Sequence, residues 1–86
     1  MDVREQFGRI LRDLRKAQGL TQEELAFRAE MNVTYLSDIE RGRWNPSLAM
    51  LVDLARGLGL HPADLLKGLV IEPQDAPPTG RKRPKE

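Results

Sequence analysis

The stretch that decides the fold is TQEELAFRAEMNVTYLSDIERG, residues 21 to 42, which contains two helix starts. At the first, the Thr21 side chain can accept from the backbone near Glu24, while the Glu24 carboxylate accepts from the Thr21 amide; this is a capping box. At the second, Asn32 is a favoured N-cap residue. Because only two or three residues separate the two helices, they must cross steeply, and the sequence predicts a helix-turn-helix.

Three more helices are predicted around this stretch. Helix 1 is indicated by an apolar stripe at helical spacing, formed by Val3, Phe7, Ile10, Leu11 and Leu14 and followed by Gly19. Helix 4 begins after the N-cap candidate Ser47, and its apolar positions are Leu48, Leu51, Leu54, Ala55 and Leu58, followed by Gly59. A short helix 5 begins at Pro62, with His61 as its cap, and ends near Gly68.

Composition limits the class of protein. The chain has 86 residues and no cysteine, so a single small domain held together by apolar packing is expected, without disulfides or thiolate metal sites. No apolar run approaches the roughly 18 residues that a membrane span needs, and we expect a cytoplasmic protein. His61 is the only histidine, and no nucleophile has a suitable partner in the pattern. We therefore expect no enzyme activity, cofactor, metal or small-molecule ligand.

The chain divides into a domain over residues 1–71 and a tail over residues 72–86. The tail has no apolar period and is predicted to be disordered and basic. Its cationic side chains can either follow DNA phosphates or only keep the chain soluble, and they are Arg81, Lys82, Arg83 and Lys85. Residues 1 to 70 hold ten basic and ten acidic side chains, so the overall charge does not by itself indicate a nucleic-acid partner.

Helix 3 has two faces with different chemistry. The helical period places Leu36 and Ile39 inward. The opposite row is small and mostly polar, and it consists of Val33, Thr34, Ser37, Asp38 and Arg41. A helix with such a surface fits the DNA major groove, which is about 12 Å wide.

The segment GLTQEELAFRAEMNVTYLSDIERGRWNPSLAMLVDLARGLGL resembles the phage-repressor and Cro type of domain, the xenobiotic-response-element family of bacterial transcriptional regulators. The likeness covers roughly residues 4 to 68, and the motifs TQEELA, YLSDIERG and NPSLAMLVDLA carry it. It implies an all-α, five-helix repressor-like domain that reads double-stranded DNA with helix 3, about residues 33–41. Repression of transcription is the simpler mechanism for so small a protein. The alternative is a protein-binding module of the same fold, such as an antitoxin or anti-repressor.

The resemblance also assigns roles to particular side chains. Base-reading positions of the family match Val33, Thr34 and Asp38, with Ser37 as a secondary contact. Asp38 can instead pair with Arg41 or Arg43. The candidates for phosphate contact are Gln22, Arg28, Tyr35, Arg41 and Arg43. An ordinary solvated surface is the alternative for several of these.

Four residues are expected to shape the domain rather than to read DNA. The family pattern implies a largely buried ion pair between Arg15 and Glu40, which would position helix 3. The turn between helices 2 and 3 often has glycine in this family, and here it has Glu30, which either adopts a left-handed conformation or changes the shape of the turn. Trp44 is expected to bury its ring against helix 3 or helix 4 as a loop anchor.

A homodimer is expected, because one recognition helix covers few base pairs and helix-turn-helix proteins usually bind paired half-sites about 34 Å apart. The candidate dimer surface combines apolar residues of helix 4 with the run before the tail: Met50, Val52, Leu69, Val70 and Ile71.

Overall fold

A computed structural model describes residues 2 to 72, and the basic side chains predicted for the tail lie outside this range. The described residues form five α-helices and no strand. The helices are α1 (Val3–Ala17), α2 (Gln22–Arg28), α3 (Val33–Glu40), α4 (Leu48–Leu58) and α5 (Pro62–Leu66). Within residues 2 to 72, no helix has the length and apolar character needed to cross a bilayer. The predicted all-α architecture with five helices is confirmed.

The predicted helix starts are also confirmed. The Thr21 hydroxyl accepts from the Glu24 amide at 3.0 Å, and the Glu24 carboxylate accepts from the Thr21 amide at 2.8 Å, so both bonds of the capping box are present. Asn32 and Ser47 cap α3 and α4 through their side chains. His61 caps α5 with its Nδ1 atom, which accepts from the Ala63 amide at 2.9 Å.

The turn between α2 and α3 contains the one residue other than glycine with positive φ among the described residues. This residue is Glu30, with a φ of 56°. Of the two shapes predicted for the turn, the left-handed one is present. Glycine provides the corresponding conformation after α3 and after α4, at Gly42 and Gly59, with φ of 77° and 70°.

The core lies between the five helices and consists mainly of leucine. Its fully buried large side chains are Leu11, Leu25, Leu36, Ile39, Leu54 and Leu65. Three residues of the predicted apolar stripes do not belong to it: Val3 is 48% exposed, Leu48 is 76% exposed, and Ile10 is half-buried outside the core cluster. Val3 and Leu48 are each the first residue of their helix, and helical spacing alone did not predict their exposure.

Close contact between helices depends on small residues. A Cβ atom on Gly8 of α1 would lie 2.5 Å from the carbonyl oxygen of Glu40 and 2.6 Å from that of Ile39. Only glycine therefore allows α1 to lie this close to the end of α3. Ala26 of α2 and Ala29, the C-cap residue of that helix, are buried in the core, and α2 packs against α4. These contacts fix α3 against the rest of the domain.

Candidate nucleic-acid interface

The candidate interface is the outer face of α3. Leu36 and Ile39 are fully buried on its inner face. On the outer face Thr34 is exposed and Val33 is 36% exposed, while Ser37 and Asp38 are half-buried. The residue that follows the helix, Arg41, is exposed as its C-cap. The structure therefore holds together, on one accessible row, the residues that were predicted to read bases.

A buried ion pair braces the end of α3 from behind. Arg15 Nε donates to Glu40 Oε2 at 2.6 Å, and Arg15 Nη2 donates to Glu40 Oε1 at 3.0 Å. The remaining fork nitrogen, Nη1, donates to the Leu20 carbonyl at 2.8 Å, and Gln22 Nε2 donates to Glu40 Oε1 at 2.9 Å. One guanidinium and one carboxylate thus connect α1, the loop after it, α2 and α3. The predicted pair is present, with the bidentate geometry that such pairs favour.

Electrostatics within this network are consistent with a stable ion pair. The hydrogen bond to Glu40 raises the pKa of the Arg15 guanidinium above its usual value, which more than offsets the opposite effect of burial. Among residues 2 to 72, no buried polar side-chain atom lacks a hydrogen-bond partner. A buried pair holds a fixed geometry only when its other hydrogen-bonding groups are also satisfied, and here they are.

The residues predicted to contact phosphate do not all lie in one place. Gln22 and Arg41 line the same polar cleft beside α3. Arg43 is exposed in the loop after α3, and its amide donates to the Asp38 carbonyl at 2.9 Å. Arg28 is exposed at the last position of α2, and it does not line this cleft. Gln22 is half-buried and bonded to Glu40, so it does not simply face solvent.

Tyr35 and Trp44 form an aromatic pair at the edge of the interface. Their ring centroids are 4.9 Å apart, with the planes tilted by 39°. The predicted contact of the Trp44 ring with helix 3 is present, but the ring is not buried, since Trp44 is 42% exposed and Tyr35 is 45% exposed. The two rings cover each other on the surface of α3 instead of entering the core.

Asp38 does not pair with the nearby arginines. Among the described residues, its carboxylate forms no ion pair or hydrogen bond with Arg41 or Arg43, so that alternative from the sequence is wrong. The bond that joins Asp38 to Arg43 connects backbone atoms only, because the Arg43 amide donates to the Asp38 carbonyl. The Asp38 carboxylate keeps its capacity to accept hydrogen bonds.

The candidate dimer surface is only partly exposed. Met50 and Leu69 pack against the core of their own domain. Val52, Val70 and Ile71 are exposed by 36%, 73% and 74%. The Gln6 side chain holds the last segment in place, because its Oε1 accepts from the Val70 amide at 2.8 Å and its Nε2 donates to the Val70 carbonyl at 3.1 Å.

Sequence reasoning missed three exposed features. Arg12 and Lys16 of α1 line the polar cleft together with Gln22 and Arg41. Phe27, at an outward position of α2, is 84% exposed. The outward positions of Arg12 and Lys16 follow from the helical period, but their position beside Arg41 depends on how α1 crosses α3.

Within residues 2 to 72, no three potential metal ligands come together.

Comparison with known proteins agrees with this geometry. Residues 6–67 match the family described as "Helix-turn-helix domain". An uncharacterized HTH-type transcriptional regulator of Sinorhizobium fredii is 39% identical over 95% of this chain and 100% of its own length. The control protein C.BamHI of Bacillus amyloliquefaciens is 41% identical over 76% of this chain and 82% of its own length. Among solved structures, the restriction-modification controller protein C.AhdI of Aeromonas hydrophila is 42% identical, with a TM-score of 0.71 over 72% of this chain and 94% of its own.

Proposed function

The chain belongs to the helix-turn-helix domain family of DNA-binding transcriptional regulators, and we propose that it is a sequence-specific repressor whose α3 enters the major groove. One observation carries the proposal. The row that begins at Val33 and Thr34 is accessible, while Leu36 and Ile39 on the other side of the same helix are fully buried. A helix supported from behind, with small side chains in front, can approach base edges in a groove about 12 Å wide.

The side chains of this row suit base edges. Val33 and the Thr34 methyl group can contact thymine methyl groups, and the Thr34 hydroxyl can donate to or accept from any base edge. Ser37 offers a second hydroxyl. Asp38 can accept from the cytosine amino group, and the absence of an arginine partner within the described residues leaves its carboxylate available for that bond.

The flanking residues suit the phosphate backbone. Phosphate contacts fix the register and orientation of a protein on DNA, whereas base contacts provide the specificity. We assign Gln22 and Arg41 to one side of α3, and Arg43 to the loop that follows it. The Tyr35 hydroxyl is a further candidate donor at the surface. The exposed Arg28 is the least supported of the set, because it lies at the other end of α2 from Gln22.

We further propose that the protein acts as a homodimer in the bacterial cytoplasm. Paired half-sites require two recognition helices about 34 Å apart. The exposed apolar residues beyond the core support this assembly, and they are Leu48, Val52, Leu66, Val70 and Ile71. Val3, Leu51, Leu66 and Leu69 also line a shallow groove between α1, α4 and α5. Analytical ultracentrifugation that shows only monomer at high protein concentration would contradict the dimer.

We infer repression by occlusion, which is the simpler mechanism for a domain of this size. A bound dimer would cover the DNA that polymerase occupies, and no additional contact with polymerase would be required. A regulator of this kind needs no catalytic group, and its activity depends on where it binds.

The experiment that tests the function is selection of binding sites from random double-stranded DNA, repeated with Thr34→Ala and Arg41→Ala. We expect the wild-type protein to select a site with two related halves. Thr34→Ala should relax the preference at particular base pairs, whereas Arg41→Ala should weaken binding to all sequences alike. If the wild-type protein selects no sequence, the result would favour the alternative of a protein-binding module.

A further inference from the structure

A polar cleft lies beside the end of α3, between the second half of α1 and the start of α2. Its volume is about 310 Å³, and it is lined by Arg12, Arg15, Lys16, Gln22, Glu40 and Arg41. We infer that this cleft holds one phosphate of the DNA backbone, and that Arg12 and Lys16 bind it together with Arg41. The inference rests on the proposed function, and it adds two residues of α1 that the reasoning from sequence did not select.

The charges in the cleft are unbalanced. Glu40 is its only acidic side chain, and the bonds to Arg15 and Gln22 engage both carboxylate oxygens. Arg15 neutralises Glu40, because the two form a buried ion pair at 2.6 Å. Arg12, Lys16 and Arg41 form no ion pair or side-chain hydrogen bond within the described part of the chain. Three cations therefore line the cleft without an ion-pair partner among residues 2 to 72. Glu23 acts on Arg15 from outside the lining, and an added anion would relieve the mutual repulsion of the three cations.

The position of the cleft indicates a backbone phosphate rather than a free anion. Arg41 is the C-cap of α3, seven residues after Thr34, and a helix rises by about 1.5 Å per residue. The cleft therefore lies roughly 10 Å along the helix from the base-reading end. When the first turn of α3 lies in a groove about 12 Å wide, this distance brings Arg41 to the groove edge, where the phosphates run.

The chemistry and rigidity of the cleft suit this ligand. Arginine presents a planar fork that can bind two phosphate oxygens, and lysine adds a flexible point charge. The Arg15–Glu40 pair and the bond from Gln22 fix the floor of the cleft to α1, α2 and α3 at once. A phosphate in the cleft would therefore set the position of α3 along the groove, and it would do so for any DNA sequence.

The first test compares Arg12→Gln, Lys16→Gln and Arg56→Gln. Arg56 is the charge control, because it is exposed on α4, where it pairs with Asp53, and does not line the cleft. Affinity for a random-sequence duplex is measured between about 50 and 200 mM salt, after melting curves have confirmed that each variant is folded. We expect each cleft variant to reduce the slope of log affinity against log salt by roughly one unit. Slopes equal to that of Arg56→Gln would overturn the inference.

The second test locates the phosphate. Neutral methylphosphonate linkages are placed one at a time along the selected site, and each duplex is tested with the wild type and with Lys16→Gln. We expect one linkage in each half-site to weaken wild-type binding strongly and Lys16→Gln binding much less. Independent losses at every linkage would show that Lys16 contacts no particular phosphate, and would overturn the inference.

A third measurement separates a DNA phosphate from a free anion. Inorganic phosphate is titrated into the wild-type protein while the side-chain NMR signals of the arginines are followed. We expect no saturation at concentrations where the duplex binds fully, because a free phosphate lacks the other contacts that the duplex makes. A saturable response, combined with unchanged salt slopes in the cleft variants, would assign the cleft to a small anion and overturn the inference. If the wild-type protein itself binds no duplex, the proposed function fails. If the wild type binds and the cleft variants have the same affinity and salt slope as the Arg56→Gln control, the proposed function stands and only the inference about the cleft is overturned.

Discussion

Arg15 Nε lies 2.6 Å from Glu40 Oε2, and both side chains are almost fully buried between α1 and α3. Glu40 is the last residue of α3, so this bond attaches the end of the candidate recognition helix to the first helix of the domain. The pair therefore connects stability with function, since a change in it would shift the position of α3.

Glu40→Gln should destabilise the domain by about 3 to 5 kcal/mol, because it leaves the buried Arg15 guanidinium without its counter-charge. DNA affinity should also fall, since α3 loses its attachment to α1. Chemical denaturation and DNA titration measure the two effects. The double variant Arg15→Met with Glu40→Leu is the control, and it should lose less stability than Glu40→Gln because no buried charge remains unpaired. Unchanged stability and affinity in Glu40→Gln would show that the pair positions nothing.

Glu30→Gly should stabilise the domain by up to about 1 kcal/mol, because Glu30 has a φ of 56° and glycine adopts this conformation without strain. Part of the gain is offset, since glycine also increases the conformational freedom of the unfolded chain. Glu23→Gly, inside α2, is the matched control and should destabilise by about 1 kcal/mol. A loss of stability in Glu30→Gly, measured by denaturant titration, would mean that the left-handed turn is not strained.

The sequence predicted the local features of the fold better than the contacts between distant parts of the chain. The starts of α2, α3, α4 and α5 were predictable because Thr21, Asn32, Ser47 and His61 each bond to a backbone amide a few residues away. These signals are local, and no knowledge of the fold is needed to interpret them. The Arg15–Glu40 pair was anticipated from the family resemblance, whereas for Glu30 the resemblance left two turn shapes open, and the structure has the left-handed one.

The features that were missed depend on contacts between distant parts of the chain. Arg12 and Lys16 form a cleft with Arg41 only because α1 crosses the end of α3 at Gly8. A single glycine inside a helix gives no indication of its partner. Trp44 lies on the surface because Tyr35 offers a ring beside it, and the sequence could not show whether that contact or burial in the core prevails.

Gly8→Ala should destabilise the domain by roughly 1 to 3 kcal/mol, because its Cβ would lie 2.5 Å from the Glu40 carbonyl oxygen and α3 would have to move. The clash is with backbone, so rotation of a side chain cannot relieve it. Arg9→Ala, on the exposed side of the same helix, is the control and should change stability by no more than about 0.5 kcal/mol. Thermal melting measures both. Equal stability of the two variants would show that α1 and α3 can separate without loss.

Stability should decrease in acid, partly through Glu24. The backbone amide of Thr21 donates to the Glu24 carboxylate and, as the main cause, lowers the pKa of this carboxyl below its ordinary value of 4.5. Because the folded-state pKa is lower than the unfolded one, the stabilisation is fully present above about pH 4.5 and is lost as the pH falls through the folded-state pKa. The pKa values of Asp2 and Asp64 are lowered as well, mainly by side-chain bonds to Arg4 and Lys67, and their contributions change in the same direction.

Glu24→Gln is the test of this pH dependence. Its melting temperature should fall less than that of the wild type between about pH 7 and pH 3, because the glutamine amide carries no charge to lose. Glu23→Gln, at the neighbouring position outside the capping box, should follow the wild-type curve. If the melting temperatures of Glu24→Gln and the wild type fall equally between about pH 7 and pH 3, the capping box contributes nothing to the pH dependence.

Asp38→Asn should relax the preference of the protein at one base pair in each half-site. An ionised carboxylate only accepts hydrogen bonds and therefore suits the cytosine amino group, whereas the amide of asparagine can also donate and therefore suits adenine. The discrimination lost at that base pair should be about 1 to 3 kcal/mol, and competition titrations with single-base variants of the selected site measure it. Asp53→Asn removes the same charge from α4 and should leave the selected sequence unchanged. If Asp38→Asn instead strengthens binding to every sequence alike, Asp38 only repels the phosphates and reads no base.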